Sequence, residues 1–353
     1  MDVSKLNNLI NESFLSPLLK DDDITDISYN GFDIYYQHNY YGRKKADISI
    51  DATNAKDFIR QIANLADKQF SFQNPKLDVS VGKYRINAVH PSIARRNNQP
   101  CLHFNFRIAS DYLLITNNSP FLNVKLISLI RVLLKSHVSM IIGGQTGSGK
   151  TEFQKYLLSE MNNYTRVIVI DSVLELDNSL WNPNLDINIW QSDEKNNETK
   201  IQELVRNALR CNPDWLIVAE SRGKEMAEVL NSAMTGHPII TTIHALNIDS
   251  MPTRIGRMVM MNEQKQDFET LMQDVYYHFR FYFYLKKKIN NEGRVLRFIE
   301  EIAEIDESGV KHTIYKKTHG KECYYPLRKE ALNILEYEDD EEFKKYFVRE
   351  ENK

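Results

Sequence analysis

The segment Gly143–Thr151 reads GGQTGSGKT and constrains the fold more than any other part of this 353-residue chain. The apolar run Val138–Ile142 precedes it, and Glu152–Met161, which has a helix-forming composition, follows it. A strand, a glycine-rich turn and a helix in this order form a phosphate-binding loop, because glycines let backbone N–H groups converge on phosphate oxygens. The helix adds the positive end of its dipole. We call Gly143–Thr151 the glycine loop and predict that it binds a nucleoside triphosphate.

Individual positions of the glycine loop have predicted roles. Lys150 is expected to reach the β- and γ-phosphates, and the hydroxyl group of Thr151 is expected to ligate Mg²⁺. The remaining positions offer backbone N–H groups to the phosphates. The residues predicted to bind the nucleotide in this segment are Gly144, Gln145, Thr146, Gly147, Ser148, Gly149, Lys150, Thr151 and Glu152.

A second apolar strand is predicted to end on an acidic residue. The run WLIV at 215–218 leads through Ala219 to Glu220. This pattern is typical of a Walker B strand, whose carboxylate holds the Mg²⁺ shell or orients the attacking water. Arg222 follows closely and is expected to face phosphate or to pair with a carboxylate. We therefore predict Glu220 and Arg222 as catalytic residues and Glu220 also as a metal ligand; a core strand that ends on a surface glutamate is the alternative.

A further acidic segment follows the apolar, β-branched run Arg166–Ile170, which is predicted as a buried strand. The segment reads DSVLE at 171–175. Acidic groups at the carboxyl ends of parallel strands lie beside bound phosphates in such sheets. Asp171 is therefore a predicted metal ligand, and Glu175 is a predicted catalytic residue.

Two histidines flank the predicted strand Ile239–Ile243, namely His237 before it and His244 after it. A single histidine is more often structural than catalytic, but two beside an acidic strand end favour a role at the nucleotide. We predict that both sense the γ-phosphate or couple it to the next domain, with His237 in nucleotide binding and His244 in catalysis. Zinc binding is disfavoured because no cysteine lies near them.

The N-terminal part, residues 1–108, is predicted as a small α+β domain without a catalytic motif. The dipeptide Asn30-Gly31 between alternating runs predicts a hairpin, and a helix and further short strands follow it. Residues 109–121 end in Asn-Asn-Ser-Pro and are predicted as a linker to a nucleotide domain at 122–353. The arginines that stand out in the first domain are Arg85, Arg95, Arg96 and Arg107.

Composition excludes several classes of function. The net charge of −3 gives no overall indication of a protein that coats nucleic acid or anionic lipid, and local basic patches stay open. The three cysteines are far apart, so neither a disulfide framework nor a structural zinc site is indicated. No signal peptide and no apolar run of the ~20 residues that span a bilayer are present, which favours a cytoplasmic protein. The acidic tail EYEDDEE at 336–342 is expected to be a charged helix or a frayed end.

These motifs, in this order, resemble the secretion ATPase superfamily of type II and type IV secretion systems and type IV pili. The chain is most similar to the traffic ATPases of type IV secretion, conjugation and Flp-type pilus assembly. It departs from the family pattern at Asp171 and Ser172, where glutamate and aspartate are usual, and at Ala219, where glycine is usual. The segments that carry the resemblance are Gly144–Thr151, Ile170–Leu176, Pro213–Glu225, Thr235–Ala245, ITDISYNG at 24–31, RINAVHP at 85–91 and RVLRFIEEIAEI at 294–305.

The resemblance implies an α/β fold with a RecA-like P-loop nucleotide domain and a smaller, PAS-like N-terminal α+β domain. It implies a homohexameric ring that hydrolyses ATP with Mg²⁺ at subunit interfaces. In such a ring Glu220, with Glu175 or Asp171, orients the water and the metal, and Arg107 and Arg85 reach the γ-phosphate as the domains close. The implied partner is an inner-membrane platform of a secretion or pilus machine, at whose cytosolic face the ring docks.

Two alternatives stay open at this stage. A RecA-like motor that translocates on nucleic acid would share the same nucleotide motifs. Such a motor should show a basic channel that bears aromatic side chains, and the near-neutral composition gives no sign of one, so no direct sequence-specific nucleic-acid binding is predicted. A nucleotide-binding assembly scaffold that hydrolyses weakly is the other alternative, because the segment at Asp171 and Ser172 is substituted.

Overall fold

The computed structural model describes residues 2–110, 112–177, 182–193, 196–262 and 267–349. Its internal contacts divide the chain into two units. The first unit contains Met1–Asp111 and Lys288–Leu296, and the second contains Tyr112–Lys287 and Arg297–Lys353. Among the described residues, every helix is too short or too polar to span a lipid bilayer.

The first unit is an antiparallel sheet with helices. Its strands are β1 (Ile24–Tyr29), β2 (Ile34–His38), β3 (Gly42–Lys45), β4 (Lys76–Val81), β5 (Tyr84–Val89), β6 (Arg95–Arg96), β7 (Gln99–Pro100) and β8 (His103–Ile108). Its helices are α1 (Val3–Asn11), α2 (Ser16–Leu19) and α3 (Ala52–Leu65). Six strands form one sheet in the order β3-β2-β1-β8-β5-β4, and β6 pairs with β7 separately.

The predicted hairpin and helix of this unit are confirmed. Gly31 has a φ of +96° in the turn between β1 and β2, and a side chain there would collide with Cys101. The apolar stripe of α3 is buried, and the ring of Phe58 stacks on Phe106 of β8 at a centroid distance of 6.0 Å. The helix α1 was not predicted, although its apolar residues Leu6 and Ile10 are fully buried in the same core.

The second unit is a nine-stranded sheet covered by helices. Its strands are β9 (Met140–Gly144), β10 (Arg166–Asp171), β11 (Asp186–Gln191), β12 (Trp215–Val218), β13 (Ile239–Ile243), β14 (Phe281–Ile289), β15 (Val295–Ile305), β16 (Lys311–Thr318) and β17 (Lys321–Tyr324). Its α-helices are α4 (Val124–Lys135), α5 (Lys150–Ser159), α6 (Ile201–Ala208), α7 (Met226–Met234), α8 (Met251–Val259), α9 (Phe268–His278), α10 (Lys329–Leu332) and α11 (Glu341–Phe347). Two short 3₁₀ helices lie at Asn197–Thr199 and Leu209–Cys211.

The order of strands in this sheet is β11-β10-β12-β13-β9-β14-β15-β16-β17. The first six strands of that order run parallel, and β16 pairs antiparallel with β15 and with β17. The interior parallel strands β9, β10, β12 and β13 are buried on both faces because helices cover both faces, whereas the edge strand β11 is partly exposed. The last residues of β14 and the first of β15 group with the first unit.

Side chains alternate between two cores along each parallel strand. In β9, Met140 and Ile142 belong to the core that also contains residues of α4 and α5, whereas Ile141 belongs to the core formed with α6 to α9. In β12, Ile217 and Leu216 divide in the same way. The period of two therefore places one hydrophobic layer on each face of the sheet. This arrangement confirms the predicted α/β class.

The C-terminal tail is part of the first of these two cores. Phe343 and Phe347 of α11 are fully buried there. Asp340 caps α11 by accepting from the Phe343 N–H at 2.8 Å, and the same carboxylate oxygen accepts from Ser128 Oγ of α4 at 2.7 Å. Of the acidic run 336–342, only Glu341 and Glu342 lie in α11, and residues 336–340 form a turn that leads into this packed helix. The prediction of a charged helix is therefore correct only for the end of the run.

Candidate functional site

The parallel strands bring four predicted segments to one edge of the sheet. Ile243 of β13 lies opposite Gly143 of β9, and Ile170 of β10 lies opposite Val218 of β12. The residues that follow these strand ends are therefore neighbours at the carboxyl edge. They are the glycine loop after β9, Asp171 at the end of β10, Glu220 after β12 and His244 after β13.

The glycine loop needs its glycines for the backbone path and for close packing. Gly147 and Gly149 have φ angles of +74° and +96°, which side chains disfavour. A Cβ on Gly144 would lie 2.6 Å from the Leu285 carbonyl oxygen, so no side chain fits there. Ser148 is fully buried, and its hydroxyl has no hydrogen-bond partner among the described residues. A buried, unsatisfied hydroxyl in such a loop is an available donor for a bound phosphate.

Lys150 is the first residue of α5, as the sequence predicts, and its ammonium group turns back over the loop. Lys150 Nζ donates to the carbonyl oxygens of Gly144 at 3.1 Å and Gln145 at 3.3 Å, and it lies 3.4 Å from His244 Nδ1. An ammonium group has only donors, so Nδ1 accepts and the ring proton is on Nε2. Burial lowers the pKa of Lys150, while the negative charge of Glu220 opposes that shift. Thr151 follows in the first turn of α5 and is half-buried.

Glu220 lies beyond His244 and is held in its ionised form. Its Oε2 accepts from Arg222 Nη2 at 2.6 Å, and its Oε1 lies 3.0 Å from His244 Nε2. The His244 contact is at ion-pair distance but lacks hydrogen-bond geometry, so Oε1 is buried without a hydrogen-bond partner in the described part of the chain. Burial pushes the pKa of Glu220 up, but Arg222, with His244 and Lys150, outweighs burial and holds that pKa below its ordinary value. The site therefore contains a carboxylate with an unused acceptor.

Asp171 shapes the loop that carries Glu175. Its carboxylate accepts from the backbone N–H groups of Val173 at 3.0 Å, Glu175 at 2.8 Å and Leu176 at 3.4 Å. Leu174 has a φ of +56°, a left-handed conformation that these hydrogen bonds help to hold. Burial raises the pKa of Asp171, and the three backbone donors oppose that rise. Asp171 is almost fully buried, whereas Glu175 is half-buried at the same edge.

Glu152, a predicted nucleotide contact, is engaged within its own helix. Its Oε1 pairs with Lys155 Nζ at 3.0 Å, and Lys155 is 1% exposed. The other carboxylate oxygen, Oε2, is buried without a hydrogen-bond partner among the described residues. Sequence reasoning overlooked Lys155, although its i,i+3 spacing from Glu152 was a signal for this pair.

Two cations near the glycine loop come from later strands and were not predicted. Arg297 of β15 donates from Nε to the Gly147 carbonyl oxygen at 2.9 Å. Lys287 of β14 has its Nζ 3.6 Å from the position that a Cβ on Gly147 would take. The family-like segment at 294–305 contains Arg297, but nothing in its spacing shows that β15 lies near the glycine loop.

His237 is not brought to this edge. It precedes β13, whereas His244 follows it, so the five residues of β13 separate the two histidines. His237 Nδ1 lies 3.1 Å from Thr235 Oγ1. Parallel pairing sets the amino end of β13 at the edge opposite to the glycine loop, so His237 lies away from the glycine loop of its own chain, and its role in nucleotide binding stays a prediction.

The predicted arginines Arg85 and Arg107 lie in the first unit, on β5 and β8. Arg107 Nε lies 3.3 Å from Asp26 Oδ1, and Arg85 Nε lies 3.8 Å from Asp78 Oδ1. Both guanidinium groups are at least one-third exposed. Their contact with a phosphate stays a prediction.

Comparison with known proteins identifies a family and several relatives. Residues 116–350 match the family model described as "Type II/IV secretion system protein". The chain is 33% identical to the type IV secretion system protein VirB11 of Brucella suis over 144 residues, which are 39% of each protein. It is 29% identical over 325 residues to an uncharacterised protein of Bacillus anthracis, with 88% of this chain and 72% of that protein covered.

Among solved structures, the ATPase DotB of Legionella pneumophila has the same fold. The two chains superpose with a TM-score of 0.62 at 19% identity, over 87% of this chain and 82% of DotB. The match to the family model covers the glycine loop, the acidic strand ends and His244. The resemblance drawn from the sequence motifs is thereby confirmed, and this chain belongs to the type II/IV secretion system protein family.

Proposed function

We propose that this protein binds ATP with Mg²⁺ at the glycine loop and hydrolyses it to drive type IV secretion, conjugative transfer or pilus assembly. The observation that carries the proposal is the contact series from Lys150 through His244 to Glu220, with distances of 3.4 Å and 3.0 Å. A phosphate-binding lysine and an ionised carboxylate are thus linked across three strand ends. Phosphoryl transfer needs these groups in fixed positions, because catalysis depends mainly on positioning and charge.

The residues at the site fit a triphosphate and a divalent cation. Lys150 caps two carbonyl oxygens of its own loop, and Ser148 Oγ and Glu220 Oε1 are buried without hydrogen-bond partners in the described residues. In the proposed complex, Lys150 would turn its donors to the β- and γ-phosphates, and Thr151 and Glu220 would hold Mg²⁺, which would supply charge neutralisation for the phosphate oxygens. Asp171 would act indirectly, through the loop that it holds, because backbone N–H groups already donate to both of its carboxylate oxygens.

The chain's own side chains divide the remaining work. Glu220 orients the attacking water with Oε1, while Arg222 holds Oε2 and keeps the group ionised. His244 lies between this carboxylate and Lys150, so it can register whether the lysine faces its own loop or a γ-phosphate. Asp171 keeps Glu175 at the same edge as a second carboxylate for the water or the metal.

The proposed motor has two domains. In this proposal residues 1–108 are the PAS-like domain, 109–121 the linker and 122–353 the RecA-like nucleotide domain, from which residues 288–296 depart by grouping with the first unit. Arg107 or Arg85 would be supplied to the γ-phosphate as the domains close around ATP, and would stabilise the charge of the transition state. Their partial exposure and weak pairing with Asp26 and Asp78 support this proposal, since little has to be broken to release them.

We further propose that six copies form a ring at the cytosolic face of an inner-membrane platform. His237, which lies away from the glycine loop of its own chain, is then available to a neighbouring subunit. Two measurements test the whole proposal. Calorimetric titration with ATP and Mg²⁺, followed by a phosphate-release assay with and without EDTA, should show binding and metal-dependent hydrolysis. Native mass measurement should show a species of six subunits with ATP; a monomer both with and without ATP would contradict the ring.

A further inference from the structure

Strands on both sides of β9 carry side chains that lie near the glycine loop. On one side β13 carries His244, and on the other β14 and β15 carry Lys287 and Arg297, following the order β13-β9-β14-β15. β14 runs parallel to β9 with Leu285 opposite Gly144, so Lys287 lies just beyond the start of the loop. The His244 side belongs to the proposed catalytic groups. The proposed catalytic groups do not include Lys287 or Arg297.

Arg297 lies along the glycine-rich part of the loop. Its Nε donates to the Gly147 carbonyl oxygen at 2.9 Å, and its Cδ lies 3.6 Å from the position that a Cβ on Gly149 would take. Gly147 and Gly149 both have positive φ angles, and glycine loses more conformational freedom than any other residue when it is ordered. A donor on a paired strand therefore restricts a segment that would otherwise sample several conformations.

The direction of this hydrogen bond determines its effect on the loop. The C=O and the next N–H of one peptide unit point in opposite directions, so fixing the Gly147 carbonyl on Arg297 turns the Ser148 N–H to the other side. In this structure the Ser148 N–H donates to the Gln145 carbonyl oxygen at 3.2 Å, inside the loop. Because the donor is a guanidinium group, it also polarises the peptide and strengthens the Ser148 N–H as a hydrogen-bond donor.

We propose that Arg297 is a positioning residue for ATP binding, which fixes the phosphate-binding conformation of the glycine loop through the Gly147 carbonyl oxygen. Lys287 adds positive charge beside the same peptide. The inference rests on the proposed function of the loop as a phosphate site. It assigns Arg297 to the loop and not to the γ-phosphate, so ADP and ATP depend on it equally.

The test compares Arg297→Ala, Arg297→Lys and a matched control. Arg166→Ala is the control, because Arg166 also contacts a backbone carbonyl, that of Cys211 at 3.4 Å, but at the amino end of β10 on the opposite edge of the sheet. The full-length variants are titrated with ADP and with a non-hydrolysable ATP analogue. KM, kcat and Tm are measured on the same preparations.

We expect Arg297→Ala to weaken ADP and the ATP analogue equally, by about three- to tenfold, the effect of one partly exposed hydrogen bond. KM should rise by a similar factor, while kcat stays within about twofold because no group of the transition state is lost. Arg297→Lys should recover part of the affinity, since it keeps a charged donor. Arg166→Ala should bind as the wild type does, and all Tm values should agree within a few degrees.

Three results would overturn the inference. Wild-type affinity in Arg297→Ala would show that the carbonyl contact has no role. A loss confined to the ATP analogue would assign Arg297 to the γ-phosphate instead of the loop. If Arg297→Ala and Arg297→Lys lost affinity to the same extent and both had a lowered Tm, the residue would be structural. If the wild-type protein itself binds neither nucleotide, the proposed function fails, a result that is distinguishable from these three.

Discussion

Arg85 of β5 and Arg107 of β8 stand directly opposite each other on antiparallel strands. Directly opposed residues share one face of a sheet, and like charges in that position are destabilising. Asp78 beside Arg85 and Asp26 beside Arg107 offset the repulsion only weakly, because all four side chains are at least one-third exposed. Two guanidinium groups are thus concentrated on one face at some cost in stability.

Replacing Arg107 by alanine tests whether this face serves catalysis. If Arg107 reaches the γ-phosphate, its removal should lower ATP turnover by roughly 10³-fold, the scale for an arginine finger. ADP affinity should stay nearly unchanged, since ADP lacks the contacted group. Arg60→Ala is the control, because Arg60 is an equally exposed arginine on α3. Normal turnover in both Arg107→Ala and Arg85→Ala would leave the first unit without a catalytic role.

Replacing Glu220 by glutamine separates binding from chemistry. Glutamine has nearly the same shape but no negative charge, so it cannot orient and activate water as the carboxylate does. We expect ATP affinity to be retained and hydrolysis to fall by about 10²-fold or more. Glu203→Gln, at an exposed glutamate on α6, is the control. Calorimetry and phosphate release measure the two effects, and an equal loss of both would make Glu220 a structural residue.

The pH dependence of hydrolysis should show that Arg222 lowers the pKa of Glu220. Burial raises the pKa of Glu220, and Arg222 is the main group that brings it below its ordinary value. In the wild type the carboxylate therefore stays ionised as pH falls, until the pH is below the ordinary pKa of a glutamate side chain, about 4.3. In Arg222→Gln burial dominates, so the pKa rises and the acid limb of the pH–rate profile should move to higher pH. An unmoved acid limb would contradict the assignment of Arg222; Arg206→Gln serves as the control.

The C-terminal helix should contribute to the stability of the second unit. Phe343 is fully buried against the core that includes α4 and α5. Phe343→Ala should lower the free energy of unfolding by about 3–5 kcal/mol, the range for deleting a buried phenylalanine. Tyr164→Ala removes an aromatic ring that is 93% exposed and should have little effect. Urea denaturation of both variants measures the difference, and equal stabilities would show that α11 detaches readily.

Local patterns predicted the parts of the site that follow strands. An apolar, β-branched run precedes each of the glycine loop, Glu220 and His244. The carboxyl ends of parallel strands lie at one edge of the sheet whatever the order of the strands. The interpretation of His237 treated both ends of β13 as neighbours of the same site. The direction of the parallel strand, which the predicted α/β fold already implied, places His237 at the edge opposite to the glycine loop of its own chain, so a role of His237 at a nucleotide stays a prediction.

Long-range pairing explains what sequence reasoning missed. Arg297 follows the glycine loop by about 150 positions and reaches it because β14 pairs with β9 and β15 lies next to β14. Periodicity within one segment cannot show which strands become neighbours. The packing of the C-terminal tail was also hard to predict. The acidic run at 336–342 dominates its composition, whereas the spacing of Phe343 and Phe347 places both rings on the buried face of α11.

ATP hydrolysis by the wild type, Lys150→Ala and Lys135→Ala tests the central claim most directly. Lys150 is the buried lysine of the glycine loop, whereas Lys135 is an exposed lysine at the end of α4. The account predicts Mg²⁺-dependent phosphate release by the wild type and by Lys135→Ala. It predicts only background release by Lys150→Ala with an unchanged circular dichroism spectrum. Hydrolysis by Lys150→Ala at the wild-type rate, or no hydrolysis by the wild type with its partners present, would contradict it.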